Sequence, residues 1–121
     1  MTIQQSVVAV PARLASSRLP DKVLADIGGK PMIQRVLEQC SKAKGPAHVV
    51  LCTDSKRLQE LAEGWGFPVL MTSEDCSSGS ERIASVADQL VARAWDEQAH
   101  RWDDATRMQR LASTAVINVQ G

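Results

Sequence analysis

Val7-Val8-Ala9-Val10-Pro11-Ala12-Arg13-Leu14-Ala15-Ser16-Ser17-Arg18-Leu19-Pro20-Asp21-Lys22 joins a short apolar run to a loop that carries Arg13, Arg18 and Lys22. The run from Val7 to Val10 shows no polar alternation, which predicts a strand buried on both faces, as in a parallel sheet, and Pro11 predicts its end. The loop sets cationic side chains among small residues at Ala12, Ala15, Ser16 and Ser17, where backbone amides can come close to an anion. Each charge-assisted hydrogen bond made there contributes roughly 1.5 to 3 kcal/mol. A solvated basic loop has the same composition, so these residues by themselves leave both readings standing.

Working outward, the same strand-then-helix alternation recurs. After Val23-Leu24-Ala25-Asp26-Ile27, the pair Gly28-Gly29 signals a turn and Pro31 suits the first position of a helix. Ile33, Val36, Leu37 and Cys40 then fall on one helical face until Gly45-Pro46. His48 to Cys52 predicts a second strand, and Thr53-Asp54-Ser55 offers caps for a helix along Leu58, Leu61, Ala62 and Trp65, closed by Gly64 and Gly66. Phe67 to Met71 predicts a third strand with Pro68 near its start. After a polar turn, one continuous helix is expected from Ser80, because Ile83, Val86, Ala87, Leu90, Val91 and Ala94 form an unbroken stripe. Residues 92–113 read as a helical excursion, and Ala115 to Val119 as a fourth strand. Alternating strands and helices predict an open α/β fold with a mostly parallel sheet and helices on both faces. Ligands of such folds bind at the carboxyl ends of the strands, after Val10, Cys52, Met71 and Val119.

The totals narrow the function classes. The 121 residues fit one domain with one core. Lys plus Arg number 14 and so do Asp plus Glu, giving zero formal charge. No global field therefore draws the chain to nucleic acid or to an anionic membrane, and anion binding has to be local. Cys40, Cys52 and Cys76 are widely spaced and odd in number, which argues against a disulfide framework or zinc site and fits a reducing cytoplasm. Neither a secretory leader nor an apolar run long enough to span a bilayer is expected.

Two further constellations share the predicted carboxyl edge. Ser77-Ser78-Gly79-Ser80-Glu81-Arg82 opens a helix, where free N–H groups, Ser80 and Arg82 could serve a heteroaromatic base; taken alone, the stretch is better explained by Ser80 as a plain N-cap and Glu81 as a first-turn acid. Asn118-Val119-Gln120-Gly121 ends the last strand, where Gln120 could read a base edge or merely enter a turn. Neither phosphate-loop pattern, G-x-x-x-x-G-K-[ST] nor G-x-G-x-x-G, is present, so side-chain cations have to supply the grip. His48 and His100 have no partner at catalytic or metal spacing, and Trp65, Trp95 and Trp102 read as packing residues.

Taken together, Val10-Pro11-Ala12-Arg13, Ser17-Arg18-Leu19-Pro20, Lys22, Gly29-Lys30-Pro31-Met32-Ile33, Thr53-Asp54, Ser78-Gly79-Ser80-Glu81-Arg82 and Asn118-Val119-Gln120-Gly121 resemble the 3-deoxy-manno-octulosonate cytidylyltransferases, the CMP-Kdo synthetases of lipopolysaccharide synthesis. The resemblance runs in order over nearly the whole chain apart from residues 92–113, which look inserted. It implies a three-layer fold of the nucleotide-diphospho-sugar transferase type, incomplete at its carboxyl end, with residues 1–121 forming the CTP-binding part of one cytidylyltransferase domain. The implied reaction is transfer of the cytidylyl group from CTP to Kdo, releasing pyrophosphate with Mg²⁺. The implied nucleotide-binding residues are Pro11, Ala12, Arg13, Ser17, Arg18, Lys22, Asp54, Ser80, Arg82 and Gln120, with Arg13 and Lys22 also catalytic through charge neutralisation. Ser80, Arg82 and Gln120 fall on cytosine in this mapping.

Two departures from the family pattern stand out. Asp21 occupies the usual place of a glycine, and the family's metal-holding aspartates are expected beyond Gly121. The intact enzyme is accordingly expected to be a Mg²⁺-dependent homodimer, and the chain alone to be inactive. Its open sheet edge could support self-association. A non-catalytic nucleotide-binding or partner-binding fragment, or a cytidylyltransferase for another acidic sugar, remains an alternative.

Overall fold

The computed structural model describes residues 3–13 and 26–119. Strand β1 (Gln5–Ala12), strand β4 (His48–Thr53), strand β5 (Val69–Met71) and strand β6 (Thr114–Asn118) form a 4-stranded sheet in the order β5-β4-β1-β6. All of its pairings are parallel, with Val7 opposite His48, Leu51 opposite Val69 and Gln5 opposite Thr114. A separate antiparallel hairpin joins β2 (Asp26–Ile27) to β3 (Lys30–Pro31). The helices are α1 (Met32–Ser41), α2 (Lys56–Gly64), α3 (Gly79–Ser85), α4 (Ala87–Ala94) and α5 (Asp104–Ala112).

The uninterrupted apolar runs are explained by burial on both sides of the sheet. Along β1, Val8, Val10 and Ala12 pack against Ile33 and Leu37 of α1 and Leu58 and Ala62 of α2. Their neighbours Val7 and Ala9 point the opposite way, into Ile83, Leu90 and Ala94 of α3 and α4. In β4 the alternation is the same, Leu51 on the first face and Val50 and Cys52 on the second. Three layers result, and each fully buried Val, Leu or Ile contributes roughly 1.5 to 3 kcal/mol.

Several boundaries differ from the sequence expectation. Pro11 does not end β1, which continues through Ala12 opposite Thr53. The reason lies in the ladder. The Ala9 carbonyl accepts from the Val119 N–H, so Ala9 and, with a period of two, Pro11 turn their backbone away from β4. The missing proline N–H therefore costs no bond to β4. The third strand begins at Val69 rather than Phe67. The stripe from Ile83 to Ala94 is one face but two helices, broken at Val86, whose φ of −122° and ψ of 24° leave the helical region. A β-branched residue gives up little helix propensity there, and its side chain stays in the core. Gly28 and Gly29, at φ 63° and 90°, form the turn of the hairpin, conformations that glycine adopts without cost.

The stretch between α4 and β6 is firmly attached. A short 3-10 turn at Ala99–Arg101 leads to α5, whose N-cap Asp103 accepts from the Thr106 N–H at 2.7 Å. Arg110 grips Glu97 through Nε at 2.6 Å and Nη2 at 2.9 Å, and stacks 4.5 Å over the Trp95 ring. Trp95 in turn donates from Nε1 to Thr114 Oγ1 at 2.7 Å, tying the end of α4 to β6. Among the described residues, no helix is long and apolar enough to cross a membrane.

Candidate functional site

Strand order places the site. The chain moves outward from β1 to β4 and β5, then returns to pair β6 on the other side of β1. The direction of winding therefore reverses between β1 and β6, and a crevice opens at the carboxyl ends of strands at such a reversal. Pro11 and Ala12, the last residues of β1, are buried at that edge, and Arg13 emerges from it exposed. Asp54 follows β4, Thr72 follows β5, and Asn118 ends β6.

The turn into α3 is built by its own sequence. Ser78, not Ser80, is the N-cap: its Oγ accepts from the Glu81 N–H at 3.0 Å. Glu81 reaches back to accept from the Ser77 N–H at 3.0 Å and from the Ser77 hydroxyl, a variant of the reciprocal capping box. Hydrogen bonds from the Ser77 hydroxyl and then its N–H hold the Glu81 carboxyl below its ordinary pKa. With Ser78 and Glu81 engaged in starting the helix, Ser80 is left exposed at the edge, where Asn118 Nδ2 donates to its Oγ at 3.4 Å. That contact bridges α3 and β6.

Arg82 turns inward. It is 3% exposed, donates from Nη1 to Thr72 Oγ1 and to the Ser73 carbonyl at 3.1 Å, and sets Nη2 3.7 Å from Asp54 Oδ2. One buried guanidinium thus joins the segment after β4, the segment after β5 and the first turn of α3. Thr72 and Ser73 were not singled out as site residues from the sequence. Their placement one and two positions after a strand end was the available signal. Beneath this network Cys52 is fully buried, and burial pushes its thiol up to about 11 although the Arg82 charge pulls the other way. Cys76, in the polar segment before α3, is buried as well.

The structure therefore brings Pro11, Ala12, Arg13, Asp54, Ser80 and Arg82 to one sheet edge. Ser17, Arg18, Lys22 and Gln120 lie outside the described residues. Among the described residues, no three His, Cys, Asp or Glu side chains come together as a metal site, and Asp54 at the edge is engaged with Arg82. The described carboxylates do not provide a Mg²⁺ cage.

The profile of the cytidylyltransferase family matches residues 7–100. The chain belongs to the cytidylyltransferase family. Among curated cytidylyltransferases, the 3-deoxy-manno-octulosonate cytidylyltransferase of Idiomarina loihiensis is 53% identical over 84 residues, covering 69% of this chain and 33% of the relative. That of Francisella philomiragia is 51% identical over 83 residues, with the same shares. A solved CMP:2-keto-3-deoxy-manno-octonic acid synthetase complexed with CTP superposes with a TM-score of 0.71 at 34% identity, covering 97% of this chain and 40% of that one. The resemblance read from the motifs is thus present in overall sequence and in backbone, and the parallel three-layer architecture agrees with it. The chain spans about a third of the length of the curated cytidylyltransferases it matches.

Proposed function

We propose that this chain is the CTP-binding part of an enzyme that transfers the cytidylyl group of CTP to 3-deoxy-manno-octulosonate, yielding CMP-Kdo and pyrophosphate for lipopolysaccharide synthesis in the cytoplasm. The observation that carries the reading is the strand-order reversal between β1 and β6, which brings Pro11 and Ala12, Arg13 just after them, and Asn118 to one sheet edge, in a backbone similar to a synthetase complexed with CTP. Arg13, Arg18 and Lys22, with the Ser17 hydroxyl, supply donors to the triphosphate, and Pro11 and Ala12 let the phosphates approach the strand end. Ser80 and Gln120 face the cytosine, and Arg82 joins them through the turn it holds together with Asp54. Arg13 and Lys22 neutralise charge as pyrophosphate leaves, which is how phosphoryl-type transfers are chiefly accelerated.

Mg²⁺ belongs to the proposed reaction of the intact enzyme, where the aspartates that the family resemblance implies, rather than any described residue, would hold it. The intact enzyme is proposed to act as a homodimer. From this chain alone we expect CTP binding without turnover. Calorimetric titration with CTP, GTP and ATP, followed by a pyrophosphate-release assay with Kdo, tests the reading. CTP should bind at least tenfold more tightly than the purine nucleotides, a discrimination of about 1.4 kcal/mol that one or two base-edge hydrogen bonds provide. Equal affinity for all three removes the cytosine assignment, and pyrophosphate release by the chain overturns the expectation of inactivity.

A further inference from the structure

The segment that carries Arg13, Arg18 and Lys22 lies between two fixed ends. Its first end is β1, paired on both sides within the sheet. Its second end is the β2–β3 hairpin, which has 2 residues in each strand and forms a sheet of its own. A hairpin so short, turning on two glycines, does not hold its shape in water unaided.

Helix α1 supplies what the hairpin lacks. Arg35 donates from Nη2 to the Gly28 carbonyl at 2.6 Å, and Lys30 Nζ meets Glu38 Oε1 at 2.9 Å. Gln34 Nε2 donates to the other Glu38 oxygen at 3.1 Å, which fixes that carboxylate in place. The hydrogen bond from Lys30 holds the Glu38 carboxyl below its ordinary pKa. Arg35 and Glu38 stand three apart, on one face of α1, so the guanidinium holds the turn while the carboxylate holds the second strand. The fit is close: a Cβ on Gly28 would come within 3.0 Å of Arg35 Nη2.

We propose that Arg35 and Glu38 are positioning residues that peg the β2–β3 hairpin to α1 and so fix the far end of the cationic segment relative to the sheet. The proposal rests on the reading that this segment grips the triphosphate of CTP. The pegs act on phosphate binding through the hairpin, and leave base preference untouched.

The test compares the wild-type chain with Arg35→Ala, Arg35→Lys and Glu38→Gln by amide hydrogen exchange and by titration with CTP, GTP and inorganic tripolyphosphate. Exchange at Gly28, Gly29 and Lys30 should quicken by roughly three- to tenfold in Arg35→Ala and Glu38→Gln, with β1 and β4 unchanged and Arg35→Lys partly restored. CTP and tripolyphosphate should lose affinity by a similar factor, with the ratio of CTP to GTP affinity preserved. Unchanged exchange at the hairpin overturns the peg whatever the nucleotides do. Faster exchange with undiminished CTP and tripolyphosphate binding overturns the positioning role. A wild-type chain that binds neither CTP nor tripolyphosphate overturns the nucleotide reading and the positioning role with it, while the exchange result still decides the peg.

Discussion

Arg82 shows how a residue chosen for its chemistry can be absorbed by the fold. Its guanidinium is buried against Thr72, the Ser73 carbonyl and Asp54, so removing it strands a carboxylate that is itself largely buried. Arg82→Leu is therefore expected to lower stability by about 2 to 4 kcal/mol in urea unfolding, whereas Asp54→Asn, which leaves the other two bonds in place, should cost clearly less. If the two variants unfold at the same urea concentration, the network account is wrong. The type of residue and its edge position were legible in Ser-Gly-Ser-Glu-Arg, but the direction of the side chain was not. That direction depends on Thr72 and Asp54, which arrive from two other strand ends. The cap of the same helix also differs from its sequence reading, because Ser78 rather than the expected Ser80 caps it, which leaves Ser80 over for other contacts.

At the level of elements, periodicity read the architecture well wherever burial decides it. α1 buries Ile33 and Leu37 at the spacing the sequence displays, and Leu37 is fully enclosed between helix and sheet. Leu37→Ala is expected to cost about 2 to 5 kcal/mol, a fall visible as a lowered denaturation midpoint with an unchanged m-value; a change in m instead would point to a looser fold. What periodicity missed are features set by backbone bonding. Pro11 continues β1 because its missing N–H lies on the side away from β4. Val86 interrupts a helix while its side chain preserves the apolar stripe. The hairpin β2–β3 was visible only as a glycine turn, because its strands are too short to show alternation and are held by α1 rather than by their own pairing.

Across the described residues, carboxylates at or near the surface do much of the tethering. Glu38 pegs the hairpin, Glu81 closes the α3 turn, and Glu97 and Asp103 hold the excursion through Arg110 and Thr106. Hydrogen bonds from Lys30, Ser77, Arg110 and Thr106, respectively, lower these four pKa values. A lowered native pKa means that the unfolded chain binds protons first as pH falls, so the stabilisation present above the ordinary carboxylate values is lost below them. Thermal midpoints should be level between about pH 6 and 7 and decline progressively below about pH 5. A midpoint that rises on acidification would contradict the assignment. The sheet order carries one more consequence, in time rather than in space. β1 (Gln5–Ala12) sits inside the sheet, whereas its neighbour β6 (Thr114–Asn118) is contributed by residues far along the chain. Contacts so distant in sequence form slowly, so the sheet edge that these two strands share is completed late in folding. The proposed nucleotide site should be among the last parts of this molecule to appear and, in refolding, the slowest to recover.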